Sequence, residues 1–85
     1  VSENFKEQVY QCLKNIRGIL EEENLSLDCI LKLTVYVIDL NNFSKLNEVF
    51  EDFFNGNYPA RSALEVSRLP KDSQVEIEAI CYYEN

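Results

Sequence analysis

The chain has 85 residues, 46% of them hydrophobic, with five Phe and five Tyr, which suits one small domain with a genuine core and argues against disorder. Its net charge of −7 repels nucleic-acid phosphate, so nucleic-acid binding is disfavoured, and it offers a membrane no polybasic patch. Histidine is absent, which removes the commonest metal ligand and the commonest general base.

No apolar run reaches transmembrane length, and no signal-peptide pattern opens the chain. Cys12, Cys29 and Cys81 are odd in number and widely spaced. They suit buried thiols in a reducing compartment better than a disulfide framework or a zinc knuckle. The chain opens on Val1 and contains no Met, as fits a fragment, a processed chain or a chain lacking its start.

The spacing of Val9, Cys12, Leu13, Ile16, Ile19 and Leu20 predicts a helix over residues 3–23 with one apolar stripe. Gly18 inside it would allow close packing on a sheet, and Asn24 can end it in a left-handed conformation. Residues 25–28 read as a linker. Cys29 to Ile38 then reads as a strand, with Leu31, Leu33, Val35 and Val37 on one face and Lys32, Thr34, Tyr36 and Ile38 on the other. The sequence Asp39-Leu40-Asn41-Asn42 predicts a turn and a helix cap. Phe43 to Phe54 predicts a second helix, buried through Leu46, Val49, Phe50 and Phe53, and Asn55-Gly56-Asn57 stops it.

Pro59 cannot donate to a sheet ladder, so it suits the start of a strand over residues 62–67. Leu69 to Ser73 turns the chain, and Val75, Ile77, Ala79 and Cys81 alternate with Glu76, Glu78, Ile80 and Tyr82 in a last strand. The two strands are expected to pair as an antiparallel hairpin beside a βαβ unit. Both helices are expected on one face of a mixed α+β sheet. The first helix needs a preceding strand to complete its crossover, which points to strands missing at the N-terminus or supplied by another chain.

No glycine-rich phosphate loop, Ser-His-Asp set or metal cluster is present. Two charged residues remain. Arg61, just after Pro59-Ala60, could hold a planar carboxylate through two parallel hydrogen bonds, or make a surface pair with Glu65 or another subunit. Glu76, between Val75 and Ile77, could be partly buried and position or activate a water, or could simply face outward with Glu78. The expected hairpin would let Arg61 and Glu76 converge at one sheet edge.

Pro59-Ala60-Arg61-Ser62, Arg68-Leu69-Pro70-Lys71-Asp72 and Val75-Glu76-Ile77-Glu78-Ala79 together resemble the signature of the YjgF/YER057c/UK114 family, the Rid family of reactive-intermediate deaminases. The likeness continues upstream through Gln8, Asn15-Ile16, Lys32 to Val37, Asp39-Leu40 and Phe43 to Phe54. It implies one chorismate-mutase-like domain over residues 1–85, without the family's N-terminal strands, in a homotrimer with clefts at the subunit interfaces. It implies cofactor-free hydrolysis of 2-imino acids, tautomers of enamines, to 2-oxo acids and ammonia. The expected compartment is the cytoplasm, with mitochondria as the alternative. By position, Arg61 would clamp the substrate carboxylate, Glu76 would hold or activate the water, the Ala63 backbone would bind the ligand and Asn47 would line the cleft. The loop from Asn55 to Tyr58 looks shorter than in many relatives, which would reshape the cleft. A binding protein without turnover, and a ribonuclease as described for some relatives, are the competing readings.

Overall fold

The computed structural model describes residues 4–82. Helix α1 spans Phe5–Glu22, strand β1 Ile30–Val37, helix α2 Phe43–Phe54, strand β2 Ala60–Glu65 and strand β3 Val75–Cys81. Short 3-10 turns lie at Leu27–Cys29, Leu40–Asn42 and Pro70–Asp72. The first residue of the predicted first helix, at position 3, lies outside the described residues.

Helix α1 starts where the Asn4 side chain accepts the Glu7 N–H at 3.1 Å. It ends in a Schellman arrangement: Asn24 is left-handed (φ 60), its N–H reaches the Glu21 carbonyl, and the Leu25 N–H reaches Leu20. Its buried face is Phe5, Gln8, Val9, Leu13 and Leu20, with Cys12 and Ile16 half-buried. Ile19 does not join the stripe and stands 64% exposed. A Cβ at Gly18 would meet nothing within 4 Å, so that glycine serves no close approach to the sheet.

Asp39, not Asn42, does the capping ahead of α2. Its carboxylate accepts the Asn41 N–H at 2.9 Å, whereas the Asn42 side chain caps nothing. Leu46, Val49, Phe50 and Phe54 form the buried face of α2, and the predicted Phe53 is half-buried. Asn55 closes the helix in the left-handed region (φ 54). Burying a side chain such as Phe50 or Leu46 completely is worth about 1.5–3 kcal/mol each, so the two helix stripes carry much of the stability.

The strand order is β2-β1-β3, with β2 parallel and β3 antiparallel to β1. The expected β2–β3 hairpin is therefore absent: the two strands flank β1 on opposite sides. β1 is the most apolar strand and takes the doubly paired centre, and the segment from Val66 to Gln74 carries the chain across it. Leu33, Val35 and Val37 are buried towards the helices. Register places Arg61 and Ala63 of β2, and Ala79, Ile77 and Val75 of β3, on that same face.

An irregularity between Ile30 and Lys32 breaks the alternation at the start of β1. It turns Ile30 into the core and leaves Leu31 58% exposed, against the expectation that Leu31 shares the face of Leu33. The opposite sheet face is open. It carries Thr34, Tyr36, Ser62, Leu64, Glu76, Glu78 and Ile80. The three cysteines are free and half-buried, not fully buried as expected.

Candidate functional site

Arg61 enters the site because β2 is parallel to β1 and pairs it with Leu33, on the helix side of the sheet. There its guanidinium meets α2. The carbon centre of the guanidinium lies 4.9 Å from the Phe50 ring, 5.1 Å from Phe43 and 5.6 Å from Tyr58. Three aromatic faces around one cation fix its plane and remove water from it. Nη2 donates to Oδ1 of Asn47. Nη1 is buried with no hydrogen-bond partner among the described residues.

This arrangement has a simple origin in the sequence. Phe43, Asn47 and Phe50 recur at helical spacing on one side of α2, so one helix face supplies two rings and an amide. Tyr58 comes from the turn before β2 and stands edge-on to Phe50, ring centroids 6.2 Å apart. Asn47, Glu48, Glu51, Asp52, Tyr58 and Arg61 together line an open cavity of about 660 Å³. Glu48 is bridged by Lys6 at 3.1 Å, and Asp52 accepts the Tyr10 hydroxyl at 2.5 Å.

Arg61 makes no ion pair with a described residue. The expected surface partner, Glu65, instead accepts the Leu40 N–H at 2.9 Å. A guanidinium with a buried, unmatched N–H group is costly unless an acceptor arrives. The unmet Nη1 is a charged donor of the kind that a carboxylate oxygen accepts from. Ala63 follows two residues on, on the same face of β2, and β2 pairs with β1 alone among the described strands.

Glu76 stands elsewhere. It pairs with Tyr36, on the open side of the sheet, and is exposed. The expected partial burial and the expected convergence with Arg61 are therefore both corrected: β1 lies between them, and they point to opposite faces. Beside Glu76, the Tyr36 hydroxyl donates to Oε1 of Glu78 at 2.6 Å. That hydrogen bond, then desolvation and the charges of Glu78 and Glu76, pushes the Tyr36 hydroxyl above its ordinary value. No group of three or more His, Cys, Asp or Glu among the described residues is placed to hold a metal ion. No described helix is long and apolar enough to cross a membrane.

Asn47 and Arg61 are thus brought together, and Glu76 is not. The aromatic nest was hidden in the sequence, because Phe43 and Phe50 read equally well as core. The signal that could have exposed it is the shared helix face of Phe43, Asn47 and Phe50.

The fold and the cavity define a small α+β unit with helices on one face of a mixed sheet and a sequestered arginine on an edge strand. The profile of the family described as Endoribonuclease L-PSP matches residues 1–83. A RutC family protein of Pyrococcus abyssi is 51% identical over 84 residues, 99% of this chain and 66% of that protein. The 2-iminobutanoate/2-iminopropanoate deaminase of Salmonella typhimurium is 47% identical over 83 residues, 94% of this chain and 65% of that protein. The crystal structure of the Escherichia coli YjgF gene product superposes with a TM-score of 0.91 at 44% identity, over 99% of this chain and 68% of that one. The chain belongs to the YjgF/Rid family. It spans about two thirds of the length of these relatives.

Proposed function

We propose that the chain carries the carboxylate-binding part of a site that hydrolyses 2-imino acids to 2-oxo acids and ammonia, with no cofactor. The observation that carries this reading is the Arg61 guanidinium, stacked in three rings, held by Asn47 and left with a buried, unmatched Nη1. Support also comes from the 47% identical relative named 2-iminobutanoate/2-iminopropanoate deaminase.

The chemistry asks little of the protein. The imine carbon is already electrophilic, so fixing the carboxylate and placing a water supplies most of the catalysis. Arg61 holds the substrate carboxylate, Asn47 holds Arg61, and the Ala63 backbone binds the ligand from the neighbouring edge. Water adds to the imine carbon, and a carboxylate base takes its proton and passes it to the imine nitrogen. The resulting carbinolamine gives its hydroxyl proton through the same base to the amine, which leaves as ammonia, and the 2-oxo acid remains.

The base on this reading is Glu76 of the partner subunit. Within one chain Glu76 and Arg61 face opposite sides of the sheet, so a single copy does not bring them together. The open face also exposes Leu64 and Ile80, at 49% and 60%, beside Tyr36 and Glu76. An apolar sheet face of this kind suits burial against further copies. The assembly proposed is a homotrimer with the reacting centre between subunits.

An RNA-cleaving role finds no support in the site, where three carboxylates line the cavity of Arg61 and would repel phosphate. The test is Arg61→Ala in the full-length protein. Hydrolysis of 2-iminobutanoate should be lost with the fold retained by circular dichroism. Unchanged turnover contradicts the assignment, and 2-oxo acid binding without any acceleration by the unaltered protein would favour a binding role.

A further inference from the structure

The cavity that holds Arg61 also holds charge of the opposite sign. Glu48, Glu51 and Asp52 line it from α2. They are not equivalent. Lys6 offsets Glu48 at 3.1 Å, and the Tyr10 hydroxyl hydrogen-bonds Asp52 at 2.5 Å. No described side chain neutralises Glu51. Its carboxylate lies over the turn that ends α2, where a Cβ at Gly56 would meet its Oε1 at 3.0 Å. Arg61, in the same cavity, makes no ion pair with it, and its Nη1 is buried and unmatched.

We infer that Glu51 is a charge filter on the substrate side chain. The inference rests on the carboxylate-clamp reading of Arg61. Once the ligand carboxylate is seated on Arg61, the remainder of a small acid lies within one cavity with Glu51. A second carboxylate on the ligand is then repelled by exposed Glu51 across an open cavity, a repulsion that salt weakens. A neutral side chain feels no such repulsion, and a cationic one is attracted. The site therefore selects 2-imino acids with neutral or cationic side chains and rejects dicarboxylic ones. Asp52 adds to the same field, while Glu48 is offset by its lysine. Glu51 acts here as a specificity residue and not as a participant in proton transfer.

The test is calorimetric binding of three 2-oxo acids to the full-length protein: 2-oxobutanoate, 2-oxosuccinate and 2-oxo-5-guanidinopentanoate. The dicarboxylate is expected to bind at least about tenfold more weakly than 2-oxobutanoate, and the guanidino acid at least as tightly. In Glu51→Gln the dicarboxylate-to-monocarboxylate ratio is expected to recover about fivefold or more. Raising the salt concentration should shrink the wild-type ratio, a response that a merely structural role for Glu51 would not give. A ratio unchanged by Glu51→Gln, or a preference for the dicarboxylate, overturns the filter while leaving the clamp standing. Binding of none of the three acids overturns the clamp and the filter together.

Discussion

Arg61 and Glu76 lie on opposite faces of one three-stranded sheet. Arg61 pairs with Leu33 on the helix side, and Glu76 pairs with Tyr36 on the open side, with β1 between their strands. The separation follows from strand order and the opposite faces from register, Leu33 and Tyr36 being on alternate sides of β1. Had β2 and β3 formed a hairpin, the two charges could have met at one edge. With β1 in the centre, each belongs to a different surface, and a site using both must be assembled from more than one copy.

The Asn47 amide fixes Arg61 without neutralising it. Replacing it separates these two effects. Asn47→Ala frees Nη2 and should weaken 2-oxobutanoate binding by about tenfold, the worth of one charge-assisted hydrogen bond. Asn47→Asp places a carboxylate against the guanidinium, which would then compete with the ligand. Its loss of binding should exceed that of Asn47→Ala in titration calorimetry. Equal losses would mean that Asn47 does not set the state of Arg61.

The irregularity at the start of β1 makes a contrast in stability between two leucines. Leu33 is fully buried and Leu31 is 58% exposed. Leu33→Ala should cost about 2–5 kcal/mol in urea unfolding, as for a filled core position. Leu31→Ala should change stability by no more than about 0.5 kcal/mol. Similar costs at both positions would place Leu31 in a contact absent from the chain alone.

Alkaline pH should destabilise the fold through two tyrosines. The Tyr10 hydroxyl is raised above 10.0 by its hydrogen bond to Asp52, then by desolvation and the Asp52 charge. Tyr36 is raised by its hydrogen bond to Glu78, then by desolvation and nearby carboxylates. A raised folded value means that the native state keeps its proton longer than the unfolded chain. The contribution is therefore complete below pH 10.0 and is lost as pH rises through the folded value. The Cys12 thiol, raised chiefly by burial, acts in the same direction from about pH 9.0. The double variant Tyr10→Phe, Tyr36→Phe should show a shallower decline in urea midpoint above pH 10. An unchanged slope would remove the tyrosine pairs as its source.

Much of this fold was legible in the sequence, because periodicity and punctuation are local. The stripes of α1 and α2, the left-handed Asn24 and Asn55, and the alternation in β3 all follow from short-range rules. The α+β order with both helices over one sheet face followed from them as well. What failed was non-local or one residue out of phase. A connection of nine residues looks like a hairpin, yet here it crosses β1, and nothing within either strand announces that choice. The irregularity that ejects Leu31 is equally silent, since leucine fits either face. At the site, Arg61 is legible from its place after Pro59-Ala60 and Asn47 from the family resemblance, but their mutual bond and the aromatic nest depend on the packing of α2 on β2.

The most direct measurement is activity in mixed oligomers of Arg61→Ala and Glu76→Gln. Each variant alone should fail to hydrolyse 2-iminobutanoate. Refolded together in equal amounts, they form some interfaces with an intact Arg61 from one copy and an intact Glu76 from the next. Random assembly of a cyclic homotrimer predicts recovery of about one quarter of wild-type activity. No activity above that of either parent would contradict a site shared between subunits.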